Sequence, residues 1–303
     1  MQPFAPSALR RALAGAAAAL CVAPVFAQQP AAAAAPAAPA ATSAPVNTLA
    51  KLASSKTITL GVRKDAQPFS YPDAAGKPAG FSWNLCQAVV QQIGDELKAP
   101  IAIRFETVSL SDSFDMLKAG KIDLHCGITS NTAPRQAEVD FSDTFYVSRV
   151  VAAYREGDAK FASAREFGRT GVLRGSTAQG LMATYASKKA ATLMLGPVRP
   201  VASYAEGVQL LKSNAIDTLV ADEMMIPKGA GVAVRREQLT VEPYALVMRK
   251  GDAQLQAAVD RALHKVLSGA QGKQLATSNG IALDSLTLDA WRKPSKQPAP
   301  PVM

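Results

Sequence analysis

Thr57-Ile58-Thr59-Leu60-Gly61-Val62 opens a stretch, residues 57–127, that decides the fold. The opening run is β-branched and apolar and reads as a strand. Pro68 and the Pro72-Asp73…Gly76 cluster mark a loop and a turn. Leu85, Val89, Ile93 and Leu97 then recur every four residues, the spacing of an amphipathic helix. Residues 101–105 read as a second strand, Phe114 and Leu117 as a short helix stopped near Gly120, and residues 122–127 as a third strand. The order βαβαβ points to a parallel α/β sheet.

The pattern then restarts. Leu117-Lys118 followed by Ile122-Asp123 recurs 94 residues later as Leu211-Lys212 followed by Ile216-Asp217. Gly61-Val62-Arg63 is echoed by Gly171-Val172-Leu173-Arg174, and Ser203-x-x-Glu206 is a capping box that starts a helix of its own. In a chain of 303 residues these echoes predict two similar α/β lobes rather than one large sheet.

The ends of the chain have a different character. Arg10-Arg11, the apolar run 12–25 and Val25-Phe26-Ala27 form a secretory signal peptide, 1–27, with cleavage expected before Gln28. Leu20 precedes Cys21 where a lipoprotein needs a small residue, so no lipid anchor is expected. Residues 28–47 are Ala/Pro-rich and read as a disordered leader, and 294–303 as a disordered tail. No later apolar run has the length of a membrane span, so the mature protein is expected to be soluble and exported, without direct membrane insertion. The formal charge of +9 is spread out, in runs no longer than pairs such as Arg235-Arg236, and aromatics make up 6%. Without a basic-aromatic stripe, nucleic acid is not the expected partner. Removing Cys21 with the signal leaves Cys86 and Cys126. In an oxidising compartment one disulfide is favoured, and two buried free thiols are the other reading.

Ligands bind open α/β sheets at strand ends, so the residues just after each strand carry the functional reading. After 122–127 come Ser130, Asn131, Thr132, Pro134 and Arg135: a helix start with hydroxyls and an Arg, suited to an anion. Arg174-Gly175-Ser176-Thr177 forms a second such turn on the other lobe, without the spacing of a P-loop. Asp222 and Glu223 follow the strand 216–220 and suit an ammonium. An Arg that takes a carboxylate and an Asp that takes an ammonium together describe a site for a zwitterion. Each feature also has a plain reading, as a helix cap or a surface pair. His125 and Cys126 point to opposite faces of one strand, His264 lies on a C-terminal helix, and no metal or nucleophile motif is present. No metal or cofactor is expected, and the chain does not read as an enzyme.

The runs Ile58-Thr59-Leu60-Gly61-Val62-Arg63, Pro68-Phe69-Ser70-Tyr71, Gly80 to Leu85, Ile122 to Ser130, Arg135 and Asp140 to Phe145 resemble the family 3 periplasmic solute-binding proteins. These are the polar-amino-acid receptors of ABC transporters, and the wording is most similar to the glutamate/aspartate-binding branch. The resemblance implies a two-lobed periplasmic-binding fold of type II, α/β, with a hinge of two crossing strands. Lobe 1 would be 48–148 plus 248–293 and lobe 2 would be 149–247, with a monomer closing on its ligand. It further implies that Arg135 clamps the α-carboxylate, that Ser130 and the backbone near Ile128 assist, and that Asp222 takes the α-ammonium. Ser176 and Thr177 would contact carboxylate, Phe69 and Tyr71 would lay ring faces over the ligand, and Arg63 would face a side-chain carboxylate without another partner. The expected partners are an amino acid, glutamate or aspartate foremost, and the membrane permease of an ABC importer.

The chain departs from that branch at three positions: Ser113 stands where it has an Arg, Tyr204 where it has a His, and Ile128 where it has a Ser. Arg174 is the residue able to replace the missing cation from lobe 2. A neutral polar amino acid is the alternative ligand. An exported dehydratase on the same fold, with Asp222 or Glu223 as acid, is the alternative class.

Overall fold

The computed structural model describes residues 47–187, 193–227, 229 and 231–300. The signal peptide and all of the leader but Asn47 lie outside the described residues. The strands are β1 (Thr57–Arg63), β2 (Tyr71–Pro72), β3 (Pro78–Ala79), β4 (Ala102–Val108), β5 (Leu124–Ser130), β6 (Val139–Phe141), β7 (Tyr146–Arg155), β8 (Glu166–Leu173), β9 (Met194–Val201), β10 (Thr218–Asp222), β11 (Val232–Val234) and β12 (Thr240–Arg249). The helices are α1 (Thr48–Ser55), α2 (Phe81–Glu96), α3 (Ser113–Lys118), α4 (Ala133–Gln136), α5 (Thr177–Ser187), α6 (Tyr204–Lys212), α7 (Ala253–Ser268), α8 (Ala270–Ser278) and α9 (Ser285–Arg292).

The sheet runs β4-β1-β5-β12-β7-β10-β8-β9. β1 pairs parallel with β4 and β5, and β8 pairs parallel with β9 and β10. Between these two parallel halves lie β12 and β7, antiparallel to each other and to the half each adjoins. The chain thus passes between the halves along β7 and returns along β12. The architecture is α/β and two-lobed, as the repeat predicts, but the lobes share one continuous sheet instead of having separate ones, because β7 and β12 pair with each other and each with one half. The expected division points at 148 and 247 fall inside β7 and β12.

The helices cover the sheet for the reason their spacing gives. On α2, Leu85, Val89 and Ile93 are buried; on α7, which packs against it, Leu255, Val259 and Leu263 are buried. Leu97 proves to be the cap residue of α2, its N–H donating to the Ile93 carbonyl. Cys86 on α2 and Cys126 on β5 form a disulfide, with their Cα atoms 6.1 Å apart, inside the range a bridge requires. The capping box at Ser203 is made in modified form. Ser203 Oγ accepts from the Glu206 N–H at 3.1 Å, while Glu206 reaches back to the Ala202 N–H at 2.8 Å.

The tail is a correction. Residues 294–300 contain no helix or strand, but they are tied down: Ser295 O accepts from Thr144 N at 3.1 Å, and Lys296 Nζ reaches Asp260 at 2.6 Å. Proline blocks regular structure here, yet bonds to lobe 1 replace it.

Candidate functional site

Arg135 sits on α4, one turn that follows β5. Thr132 caps it, its Oγ1 accepting from the Arg135 N–H at 3.4 Å, with Pro134 in the first turn. The guanidinium bridges the two halves of the fold. Nη1 donates to Ser130 O and Nη2 to Gly175 O, each at 2.9 Å. Burial pushes its pKa down, and the carboxylates of Glu242 and Asp222 pull it back up. Both acceptors are neutral carbonyls, weaker partners for a guanidinium than a carboxylate.

Asp222 closes β10 rather than following it and is buried. Tyr204 Oη donates to Oδ2 at 3.0 Å and Tyr244 Oη to Oδ1 at 2.5 Å. Burial raises its pKa, and the two phenols and Arg135 oppose that rise. Glu223, its expected companion, is exposed, so the two carboxyls do not form an acid/base pair.

Arg63 corrects one expectation. It ends β1, is fully buried, and already has a carboxylate: Nε donates to Asp65 Oδ1 at 2.9 Å, with Nη2 2.7 Å from the same oxygen. Nη1 meets no acceptor among the described residues. Close by, His125 is buried, and burial and then the Arg63 and Arg135 charges push its pKa to about 3. It is therefore neutral near pH 7, with Nδ1 3.3 Å from Thr129 Oγ1.

The remaining expected residues divide. Ser130 and Ile128 are buried at the end of β5, and Ser130 supplies the carbonyl for Arg135. Ser176 caps α5, its Oγ accepting from Gln179 N at 3.2 Å and donating to Leu173 O at 2.7 Å; Thr177 begins the helix beside it. Gly175 needs its φ of +75°, which lets this turn offer its carbonyl to Arg135. Arg174 is exposed, and among the described residues its guanidinium makes no hydrogen bond or ion pair. Phe69 is fully buried, edge-on to Phe81, Tyr146 and Tyr244 at centroid distances of 5.0–6.1 Å. Tyr71 lines an open cavity of about 880 Å³ with Asp65 from lobe 1 and Tyr204 and Met225 from lobe 2. Ser113 is buried, its hydroxyl bonded to Leu110 O at 3.1 Å.

Sequence reasoning missed Glu242 and Tyr244. Both lie on β12, buried, opposite Ser148 and Tyr146 of β7. Burial, then the Asp222 charge, raises the Glu242 pKa; the Ser130 and Thr240 hydroxyls and Arg135 lower it. The signal was a lone Glu in the run 241–248, which holds no other charge, because a charge on a buried strand needs a partner. Among the described residues no group of His, Cys, Asp and Glu is arranged to hold a metal.

Arg135 on one lobe and Asp222 on the other thus sense each other's charge across a two-lobed fold. The chain belongs to the bacterial extracellular solute-binding proteins, family 3, which match residues 58–277. It is 28% identical over 271 residues to the L-glutamate/L-aspartate-binding protein of Pseudomonas aeruginosa, covering 86% of this chain and 82% of that one. It is 25% identical over 238 residues to the glutamate/aspartate import solute-binding protein of Escherichia coli, covering 75% and 78%. Among solved structures, an ancestral amino-acid-binding protein, a precursor of cyclohexadienyl dehydratase, superposes with a TM-score of 0.66 at 24% identity, over 77% of this chain and 99% of that one.

Proposed function

We propose that the protein captures an acidic amino acid between its lobes and delivers it to the permease of an ABC importer. The observation that carries this reading is the pair Arg135 and Asp222, one on each lobe, with Arg135 held only by neutral carbonyls. A ligand α-carboxylate is a stronger partner for that guanidinium, and an α-ammonium suits a carboxylate at Asp222. The names of the relatives above support glutamate or aspartate, with Arg63 as the nearby cation for the side chain. Lobes 48–148 plus 248–293 and 149–247 would close by bending β7 and β12. We read the protein as a periplasmic monomer released by its signal peptide; among the described residues no helix is long and apolar enough to cross a membrane. Binding, not dehydration, is the reading we adopt, since the relatives above are named for what they bind.

One observation favours a neutral polar ligand instead: Asp65 already occupies Arg63, and Glu242 adds a second buried carboxyl. Titrating glutamate against glutamine by calorimetry separates the two readings, because the pair differs by one charge at nearly constant shape. We expect glutamate to bind more tightly by about 1.5–3 kcal/mol. Equal or tighter glutamine binding overturns the acidic ligand. Arg135→Ala should weaken either ligand by about 3–5 kcal/mol, the cost of leaving one partner of a buried pair.

A further inference from the structure

The bound segment after α9 lands on the loop that carries Arg135. Lys296 O accepts from Asn131 Nδ2 at 3.0 Å and from Gln136 Nε2 at 2.9 Å, and Ala299 N donates to Asn131 O at 2.8 Å. Ser295 O takes both the N–H of Thr144, at 3.1 Å, and its hydroxyl, at 3.2 Å. Lys296 Nζ is anchored by Asp260 at 2.6 Å and Asp143 at 3.3 Å. Asn131 is fully buried and directly follows Ser130, whose carbonyl holds Arg135; Gln136 directly follows Arg135. Both flanks of the Ser130–Arg135 contact are therefore fastened to the same segment, and Asn131 Oδ1 joins them through Gln136 Nε2 at 2.8 Å.

A single helical turn does not hold itself, because nucleation fixes several dihedrals for one bond. With α4 spanning four residues, the aim of Arg135 depends on ties from elsewhere. Two come from β12 and the residue after it, where Pro243 O accepts from Asn131 N at 2.8 Å and Lys250 Nζ donates to Gln136 O at 2.6 Å. The others named above come from residues 294–300. Without them, buried Asn131 loses the acceptor for its side-chain N–H and the donor to its carbonyl, and the loop must rearrange to satisfy both.

We propose that residues 294–300 act as a positioning strap for Arg135, setting affinity for the α-carboxylate without touching the ligand. This rests on the reading of Arg135 as the carboxylate clamp. The test compares the full chain with one ending at Lys293 and with Asn131→Ala, which carries the comparison should the shortened chain not fold. Calorimetry uses glutamate, glutamine and arginine, which share the α-carboxylate, and hydrogen exchange follows amides 130–136 without ligand. Loss of pre-organisation should weaken every ligand that binds by about tenfold, with their ranking unchanged. Amides 130–136 should exchange faster, and a peptide of residues 294–300 added to the shortened chain should restore both. Unchanged affinity and exchange in the variants overturns the strap, as does a loss confined to one ligand. If the full chain binds none of the three, the ligand reading fails separately and the exchange at 130–136 still decides the strap.

Discussion

The repeated Leu-Lys…Ile-Asp motif builds the same device twice. In lobe 1, Asp123 N donates to Thr59 O at 2.7 Å while its carboxylate accepts from Thr59 N at 3.0 Å. In lobe 2, Asp217 does the same with Arg169, at 2.7 and 2.8 Å. Arg249, the last residue of β12, donates to Leu117 O and Ile122 O at 3.2 and 3.0 Å and pairs with Asp123 at 3.1 Å. Arg155, the last residue of β7, donates to Leu211 O and Ile216 O at 3.0 and 2.8 Å and lies 3.8 Å from Asp217. Each crossing strand thus ends, in the lobe it enters, on an arginine that satisfies the carbonyls of that motif. The copies differ in depth. The Asp123 side chain is 1% exposed and pairs with both Arg249 and Lys51, whereas that of Asp217 is 14% exposed and its closest cation, Arg169, is 46% exposed. Lobe 1 buries its copy of the device, and lobe 2 leaves it near water.

That difference predicts unequal costs. Asp123→Ala strands a mostly buried Arg249 and removes the acceptor for the Thr59 N–H. Breaking such a buried pair costs about 3–5 kcal/mol. Asp217→Ala removes a partner that is screened by solvent on the Arg169 side, and should cost clearly less. Urea denaturation of the two variants checks this, and equal losses would break the comparison.

The disulfide belongs to lobe 1 alone among the described residues and adds to the same asymmetry. It closes a loop of sequence separation 40, and removing it as the paired Cys86→Ser/Cys126→Ser variant should cost about 2–4 kcal/mol. Hydrogen exchange should show the loosening at α2 and β5 and leave β8 and β10 as they were. Loosening spread evenly over both lobes would count against the asymmetry.

The same contrast explains what was legible in the sequence. Periodicity gave α2 and α7, and the 94-residue echo gave two lobes, because buried faces impose spacing on the chain. Cys86 and Cys126 were legible because only two cysteines remain after the signal. Asp65 was not read as the partner of Arg63, since a loop residue two positions on carries no periodic signal. Tyr244 and Glu242 reach the site only through the antiparallel return of β12, a pairing more than ninety residues from β7 and absent from local pattern. The strap was read as disorder because proline-rich composition says nothing about docking.

The lobe ends that carry Arg135 and Asp222 differ too: Arg135 leans on neutral carbonyls, Asp222 on two phenols. Tyr244→Phe should therefore act through Asp222. Losing a hydrogen bond to a charged group costs about 1.5–3 kcal/mol. It also removes a force that keeps the Asp222 pKa down, so the carboxyl protonates at higher pH than in the parent. An α-ammonium needs the ionised form, so the affinity deficit should widen as pH falls. Calorimetric titrations across mildly acidic pH measure it, and a deficit independent of pH would detach Tyr244 from Asp222.

The smallest effect concerns a position where the copies differ in chemistry. His125 in lobe 1 has Leu219 as its counterpart in lobe 2, and both are fully buried. Leu219 cannot titrate. His125 is depressed from 6.5 to about 3, by burial first and by Arg63 and Arg135 next. Between those values the unfolded chain carries a proton on this imidazole and the folded chain does not. The unfolded state then binds more protons, so stability contributed at this site is present above pH 6.5 and is lost as pH falls toward 3. The loss is about 1.4 kcal/mol for each pH unit within the window. Asp222 and Glu242, with pKa values raised above the usual carboxylate range, act in the opposite sense, so the parent's slope mixes both. The difference between parent and His125→Gln isolates the histidine, because the carboxyls are common to both. We expect urea midpoints of the two proteins to converge on acidification from pH 7 if Gln is the poorer neutral fit, and to separate in favour of the variant if it fits as well. A constant gap from pH 7 to 4.5 would mean that His125 titrates in the fold as it does in the unfolded chain, and burial beside Arg63 would then not depress it.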